Sequence, residues 1–184
     1  ITLFSCKKEV KIVDPLNEAL ASQSPKIKKV MDSLENYEVQ IKFTQIDHQK
    51  EKVVFTDYDF QVNGHNYFYP ASSVKFPIAV LTLEKLNSLA DLDMNTVFYI
   101  EGDTLETTVA KEISKIFAVS DNEAYNRLFE FLGQDEINQR LAEIGIKNTR
   151  ISHRVSTPNA DNITTKPIVI YVNDSTIRVT EKII

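Results

Sequence analysis

The sequence holds one cysteine, Cys6, among 184 residues, so an internal disulfide framework is excluded. Its three histidines, His48, His65 and His153, are scattered, with no Cys/His spacing that resembles a zinc site, and neither a metal nor a cofactor is expected. No uninterrupted apolar run reaches the ~18 residues that a membrane-spanning helix requires. Positive charge is in deficit, with 21 Lys and Arg against 26 Asp and Glu for a net of −5. A phosphate-backbone binder needs a clustered basic face, so nucleic acid is not an expected partner. Glycine is scarce too, at four residues, the last being Gly145. What remains is a chain with 42% hydrophobic residues, long enough to bury about two-thirds of its unfolded surface without staples. At roughly 150 residues per domain this is one domain or two interleaved subdomains.

The first residues, Ile1-Thr2-Leu3-Phe4-Ser5-Cys6-Lys7-Lys8, begin without Met and run from apolar to small to Cys. Leu3-Phe4-Ser5-Cys6 resembles the end of a bacterial lipoprotein signal, although Phe4 is bulkier than usual there. A buried cysteine in a short strand is the other reading. The polar, aperiodic stretch 7–24 favours the first, since a tether is expected between a membrane anchor and a folded body. Residues 1–23 are therefore expected to be leader and tether, with Cys6 as the lipidation site. The protein is then extracytoplasmic, in a periplasm or cell envelope, and touches membrane only through that lipid.

The folded region is expected over 24–184. Ser24-Pro25 reads as N-cap and first helical residue, ahead of Ile27, Val30, Met31 and Leu34 at helical spacing. Val39, Ile41 and Phe43 alternate with polar residues, and after a polar turn at 48–51 a β-forming run covers 52–62, predicting a hairpin with one wet face. From 72 to 89 apolar residues occupy nearly every face, predicting a buried helix with Pro77 at or just after its first turn. Further helices are predicted over 107–119, 120–132 and 135–144, the last stopped by Gly145. A terminal hairpin is expected from 168–172 and 176–179. Together these predict an α+β fold: helix and strands over 24–66, a helical part over 67–150, then a loop and hairpin over 151–184.

Chemistry enters at Tyr69-Pro70-Ala71-Ser72-Ser73-Val74-Lys75. On the first turn of a helix Ser72 and Lys75 share one face, hydroxyl within reach of amine. A serine needs a base to become a nucleophile, and a lysine can serve once burial disfavours its ammonium form. The helix N-terminus would add free N–H groups for an oxyanion. Ser-x-x-Lys alone says little: it occurs again at Ser5-Cys6-Lys7-Lys8, and Ser72 is equally readable as a plain cap. Ser120-Asp121-Asn122 is a rarer tripeptide, readable as another cap but also as chemistry. Its second hydroxyl could relay a proton, and the Asn carboxamide could hold Lys75 and a substrate amide in register.

Taken together these motifs resemble those of the class A serine β-lactamases and related penicillin-binding proteins, whose signature is S-x-x-K, S-D-N and K-T-G. The likeness extends to element order and to Gly145-Ile146-Lys147-Asn148-Thr149-Arg150, and covers about residues 24–155. It implies a β-lactamase-like fold with Ser72 as the acylated nucleophile, Lys75 as its base or proton partner, Ser120 as proton shuttle, Asn122 as substrate and lysine contact, and Asp121 as mainly structural. The implied substrate is a β-lactam or a peptidoglycan-like amide. Two departures stand out. No K-T-G or K-S-G occurs, so the chain is expected to be a fragment or truncated reading frame, incomplete at its C-terminus. Where the class carries Arg-x-Glu, this chain has Arg154-Val155-Ser156; Ser156 cannot be the deacylating base, and Asp161 is the closest spare carboxylate. Arg154 reads equally as a solvated loop charge. A serine hydrolase, a non-catalytic binding lipoprotein on the same scaffold, and an unrelated α+β domain with capping serines are the readings left open.

Overall fold

The computed structural model describes residues 13–158 and 160–183, so Cys6 lies outside the described residues. The chain divides between Tyr67 and Phe68 into two compact units, each with its own elements.

In the first unit, helix α1 (Pro15–Leu20) falls in the stretch expected to be tether. Its cause is local. The Asp14 carboxylate accepts from the N–H groups of Leu16 (2.9 Å) and Asn17 (3.0 Å), Pro15 presets the first turn, and Leu16 is buried. Helix α2 (Pro25–Met31) starts where predicted, although the Ser24 side chain makes no capping bond. Strands β1 (Ile41–Gln49) and β2 (Lys52–Phe60) pair antiparallel from Ile41↔Phe60 to Gln49↔Lys52 around Lys50-Glu51. One face stacks Phe43 on Tyr58, ring centroids 6.1 Å apart. The other carries Lys42 on Asp57 (2.8 Å) and Thr44 on Asp57 (2.6 Å), but also the exposed pair Ile46 and Phe55, so the expected wet face is only partly polar.

The second unit opens with a single 3-10 turn, Ala71–Val74, running into helix α3 (Lys75–Asn87). Strand β3 (Val97–Ile100), β4 (Thr107–Thr108), and helices α4 (Val109–Val119), α5 (Asn122–Leu132) and α6 (Gln134–Glu143) follow. A terminal hairpin of β5 (Ile168–Asn173) and β6 (Thr176–Val179) joins β3 and β4 in one antiparallel sheet ordered β4-β3-β5-β6. Thr107 and Thr108, expected to be helical, pair instead with Phe98 and Val97, and Thr108 then caps α4 by accepting from the Lys111 N–H (3.2 Å). Strand β3 went unassigned in the sequence, although Val97-Phe98-Tyr99-Ile100 has β-branched and aromatic composition.

Helix α5 is the axis of this unit. Every residue from Ala124 to Leu132 is buried, packed against α3, α4 and α6, with Ile168 and Ile170 of β5 and Phe98 of β3 in the same core. Helix α3 buries Ile78, Ala79, Leu81 and Leu86, but Phe76, Val80 and Leu83 are exposed, correcting the expectation of a helix buried all round. Leu128 has no solvent exposure, so truncation removes packed methyl groups and leaves a void. Leu128→Ala is expected to cost about 3–4 kcal/mol, read as a lower urea midpoint at unchanged slope; a loss below about 1 kcal/mol would place Leu128 outside a tight core.

Candidate active site

Three short segments converge. The turn before α3 supplies Ser72, the first residue of α3 is Lys75, and the two-residue link between α4 and α5 supplies Ser120, with Asn122 opening α5. Ser120 Oγ lies 3.0 Å from Ser72 Oγ. Lys75 Nζ donates to Ser120 Oγ (2.9 Å), to Asn122 Oδ1 (2.6 Å) and to the Ser120 carbonyl, and stands 3.4 Å from Ser72 Oγ. The four residues predicted from the two motifs thus form one hydrogen-bonded cluster. Ser72 caps nothing: the cap position of its turn is Pro70, and the Ser72 hydroxyl faces the cluster. Ser120 caps no helix with its side chain either; that role falls to Asp121, whose carboxylate accepts from the Ala124 N–H (2.8 Å).

The backbone is bent to achieve this. Ala71 (φ +45°), Ser120 (φ +56°) and Ser156 (φ +54°) all adopt the left-handed region without being glycine. Each such residue costs of order 1–3 kcal/mol and persists only where its surroundings over-determine it. Ser120 ends α4 in that conformation, which turns its hydroxyl and carbonyl together onto Lys75. Ala71 directly precedes Ser72, whose N–H makes no backbone hydrogen bond among the described residues.

Lys75 is 3% exposed. Burial disfavours its ammonium and lowers its pKa from the ordinary lysine value of 10.5, while the Asp121 carboxylate pulls in the opposite direction. No Asp or Glu side chain among the described residues hydrogen-bonds to Ser72, Lys75, Ser120 or Asn122. Asn122 instead donates to Ser156 Oγ (3.0 Å). Asp161 sits in an exposed turn and bonds to none of the cluster.

The loop carrying Ser156 is clamped from beneath. Asn126 holds Val155 in both directions, accepting from its N–H (2.8 Å) and donating to its carbonyl (2.9 Å). Arg154, expected equally as a solvated charge, is buried: Nε meets Glu130 (2.5 Å), and the Nη groups donate to the Asn162 and Thr164 carbonyls. Tyr125 closes the clamp by donating to the His153 carbonyl (3.0 Å), burial raising its phenol pKa. The sequence reading passed over Asn126 and Glu130. Asn126 stands four residues after Asn122, hence on the same face of α5, and that spacing was the available signal.

Residues 23–176 match the beta-lactamase enzyme family. The chain belongs to that family. No curated protein and no solved structure matches it. The side chains of the cluster are three hydroxyls, one amine and one carboxamide, with Ser156 bonded to the Asn122 amide.

Because the folded state binds the Lys75 proton less tightly than the unfolded chain, this group destabilises the fold below its folded pKa. That loss is recovered as pH rises from the folded pKa toward 10.5. In an NMR titration of lysine side chains Lys75 is expected to deprotonate before the exposed lysines, and Lys75→Met is expected to flatten the rise in stability on that interval. A Lys75 midpoint at or above 10.5 would contradict the burial argument.

Proposed function

We propose that the protein is an acyl-accepting serine hydrolase in which Ser72 attacks a β-lactam or peptide-like amide and retains the acyl group far longer than a rapid hydrolase would. The observation that carries this reading is the unbroken hydroxyl–hydroxyl–amine chain Ser72–Ser120–Lys75. In the attack, neutral Lys75 receives through Ser120 the proton that Ser72 loses. The Ser72 oxygen bonds to the carbonyl carbon, the carbon–nitrogen bond breaks, and the same relay returns the proton to the leaving nitrogen. Asn122 holds Lys75 in place with Oδ1 and keeps Nδ2 for the Ser156 hydroxyl or a substrate carbonyl.

Slow release follows from the same inventory. Freeing the acyl group needs a water stripped of its proton, and Ser156, presented to Asn122 in a strained conformation, offers a hydroxyl that is no base at neutral pH. A second reading, binding without acyl transfer, is favoured by that missing carboxylate.

Fluorescent penicillin separates the two. Acyl transfer predicts covalent label on Ser72 that survives denaturing electrophoresis, is lost in Ser72→Ala, and forms about 10²–10⁴-fold more slowly in Lys75→Ala. Label that never forms on the native protein, or forms equally on Ser72→Ala, defeats acylation at Ser72. The rate of labelling is expected to rise with pH and level off below 10.5, the sign required of a base that must first lose its proton.

We also place the protein outside the cytoplasm, held by a lipid on Cys6, on the strength of Leu3-Phe4-Ser5-Cys6 and the polar run after it. Metabolic labelling with an alkynyl fatty acid in a bacterial host, expressed behind a complete lipoprotein leader, is expected to mark the wild type and not Cys6→Ala. Equal marking of both would remove the anchor.

A further inference from the structure

A polar cavity of about 210 Å³ lies in the second unit, against the ~10–15 Å³ that one water needs. None of Ser72, Lys75, Ser120, Asn122 or Ser156 lines it. Its walls include Arg127, Arg154 and Glu130, and three exposed charged residues, Asp103, Glu123 and Lys166. Arg154 and Glu130 neutralise each other.

Arg127 is different. It is more than nine-tenths buried, at 8% exposure, and its Nε donates to Glu112 (2.9 Å). That carboxylate is wholly buried and already shared, since Lys115 (2.9 Å) and the Thr107 hydroxyl (2.5 Å) bond to its other oxygen. One anion therefore faces two cations, and the group keeps a net positive charge. The two Nη atoms of Arg127 have no hydrogen-bond partner among the described residues. No buried described side-chain nitrogen or oxygen lacks a partner either, so these atoms are not sealed from solvent, and Arg127 lines this cavity. A guanidinium bonded along its Nε edge retains a planar two-N–H fork at its tip, the geometry that takes a carboxylate bidentately.

Exposed acids compete with a simple anion. Asp103 spends only Oδ1 on its own loop, accepting from the Thr104 and Leu105 N–H groups, and Glu123 makes no side-chain hydrogen bond among the described residues. With Lys166 offsetting one of the two acids, a bare anion still meets a net negative rim on entry, and a bare cation meets Arg127 within. A molecule carrying both charges a few bonds apart satisfies both ends.

We propose that this cavity binds a small zwitterion of amino-acid type, its carboxylate on the Arg127 fork and its ammonium toward Asp103 and Glu123. The site is independent of acyl transfer at Ser72. Calorimetric titration of the whole chain with glycine and alanine, beside acetate, methylamine, N-acetylglycine and glycinamide, tests it. Glycine or alanine is expected to bind at millimolar concentration, and blocking or omitting either charged end to weaken binding at least about tenfold. Arg127→Lys, which keeps the Glu112 ion pair and loses the fork, is expected to bind at least about tenfold more weakly. The exposed double variant Asp103→Asn, Glu123→Gln is expected to lose the preference for glycine over acetate. No heat from either amino acid, acetate binding as tightly as glycine, or wild-type affinity in Arg127→Lys would each overturn the proposal. Should Arg127→Lys fail to fold, an unchanged glycine preference in the double variant overturns it alone.

Discussion

The second unit is organised around the cost of hiding one ammonium. Transferring an unpaired lysine charge from water into a protein interior costs several kcal/mol even after relaxation, so Lys75 persists at 3% exposure only if oxygens surround it. Four do, and three belong to the link between α4 and the start of α5. The requirement dictates backbone. Two of those oxygens are the carbonyl and hydroxyl of a single residue, Ser120, and the left-handed turn there brings both onto one nitrogen. The lysine is thereby what joins the turn of Ser72 to the α4–α5 corner. A site whose charge is held by the fold, and whose fold is bent to hold the charge, arrives preorganised.

Helix α5 shows the same economy on its other faces. Asn126, Arg127 and Glu130 are all buried, and each is tied to a segment remote in sequence: Asn126 to Val155, Arg127 to Glu112, Glu130 to Arg154 and to the Lys166 N–H. Buried pairs of this kind are weak evidence of added stability, because desolvation offsets most of their attraction. What they supply is register. Asn126 matches the amide edge of Val155 and no neighbouring residue, and Arg154 ties residues 130, 162 and 164 to one loop. That fixes where residue 156 stands, and the strain at 156 is sustained by those bonds.

These facts explain what could be read from the chain in advance. The two halves of the cluster were legible because each is local: Ser72 and Lys75 sit one helical turn apart, and Ser120, Asp121 and Asn122 are contiguous. Helices α4, α5 and α6 and both hairpins were legible from periodicity to within a few residues. Helix α1 was missed because its signal is a cap, Asp14-Pro15, followed by only one buried residue, Leu16. Arg154 misled for a different reason. A charged residue in a loop reads as solvated until its partner is known, and Glu130, lying 24 residues earlier on a helix face that looks polar in sequence, acquires meaning only from the fold.

The departure at residue 156 draws these threads together. The loop around it is built with a full set of constraints: the Asn126 clamp, the buried Arg154, the Tyr125 bond to His153, the strained backbone. Scaffolding of that density is not needed to hold an idle hydroxyl. Its effect is to keep Ser156 on the Asn122 carboxamide, so that Asn122 is fixed from both ends, by Lys75 at the oxygen and by Ser156 at the nitrogen. An amide held at both ends cannot flip, and its oxygen stays on the ammonium. Residue 156 therefore presents to Asn122 a hydroxyl that orients its neighbour. Under the acyl transfer proposed for Ser72, the fixed carboxamide serves capture of the acyl group by holding the relay in place, and no carboxylate among these contacts serves its release.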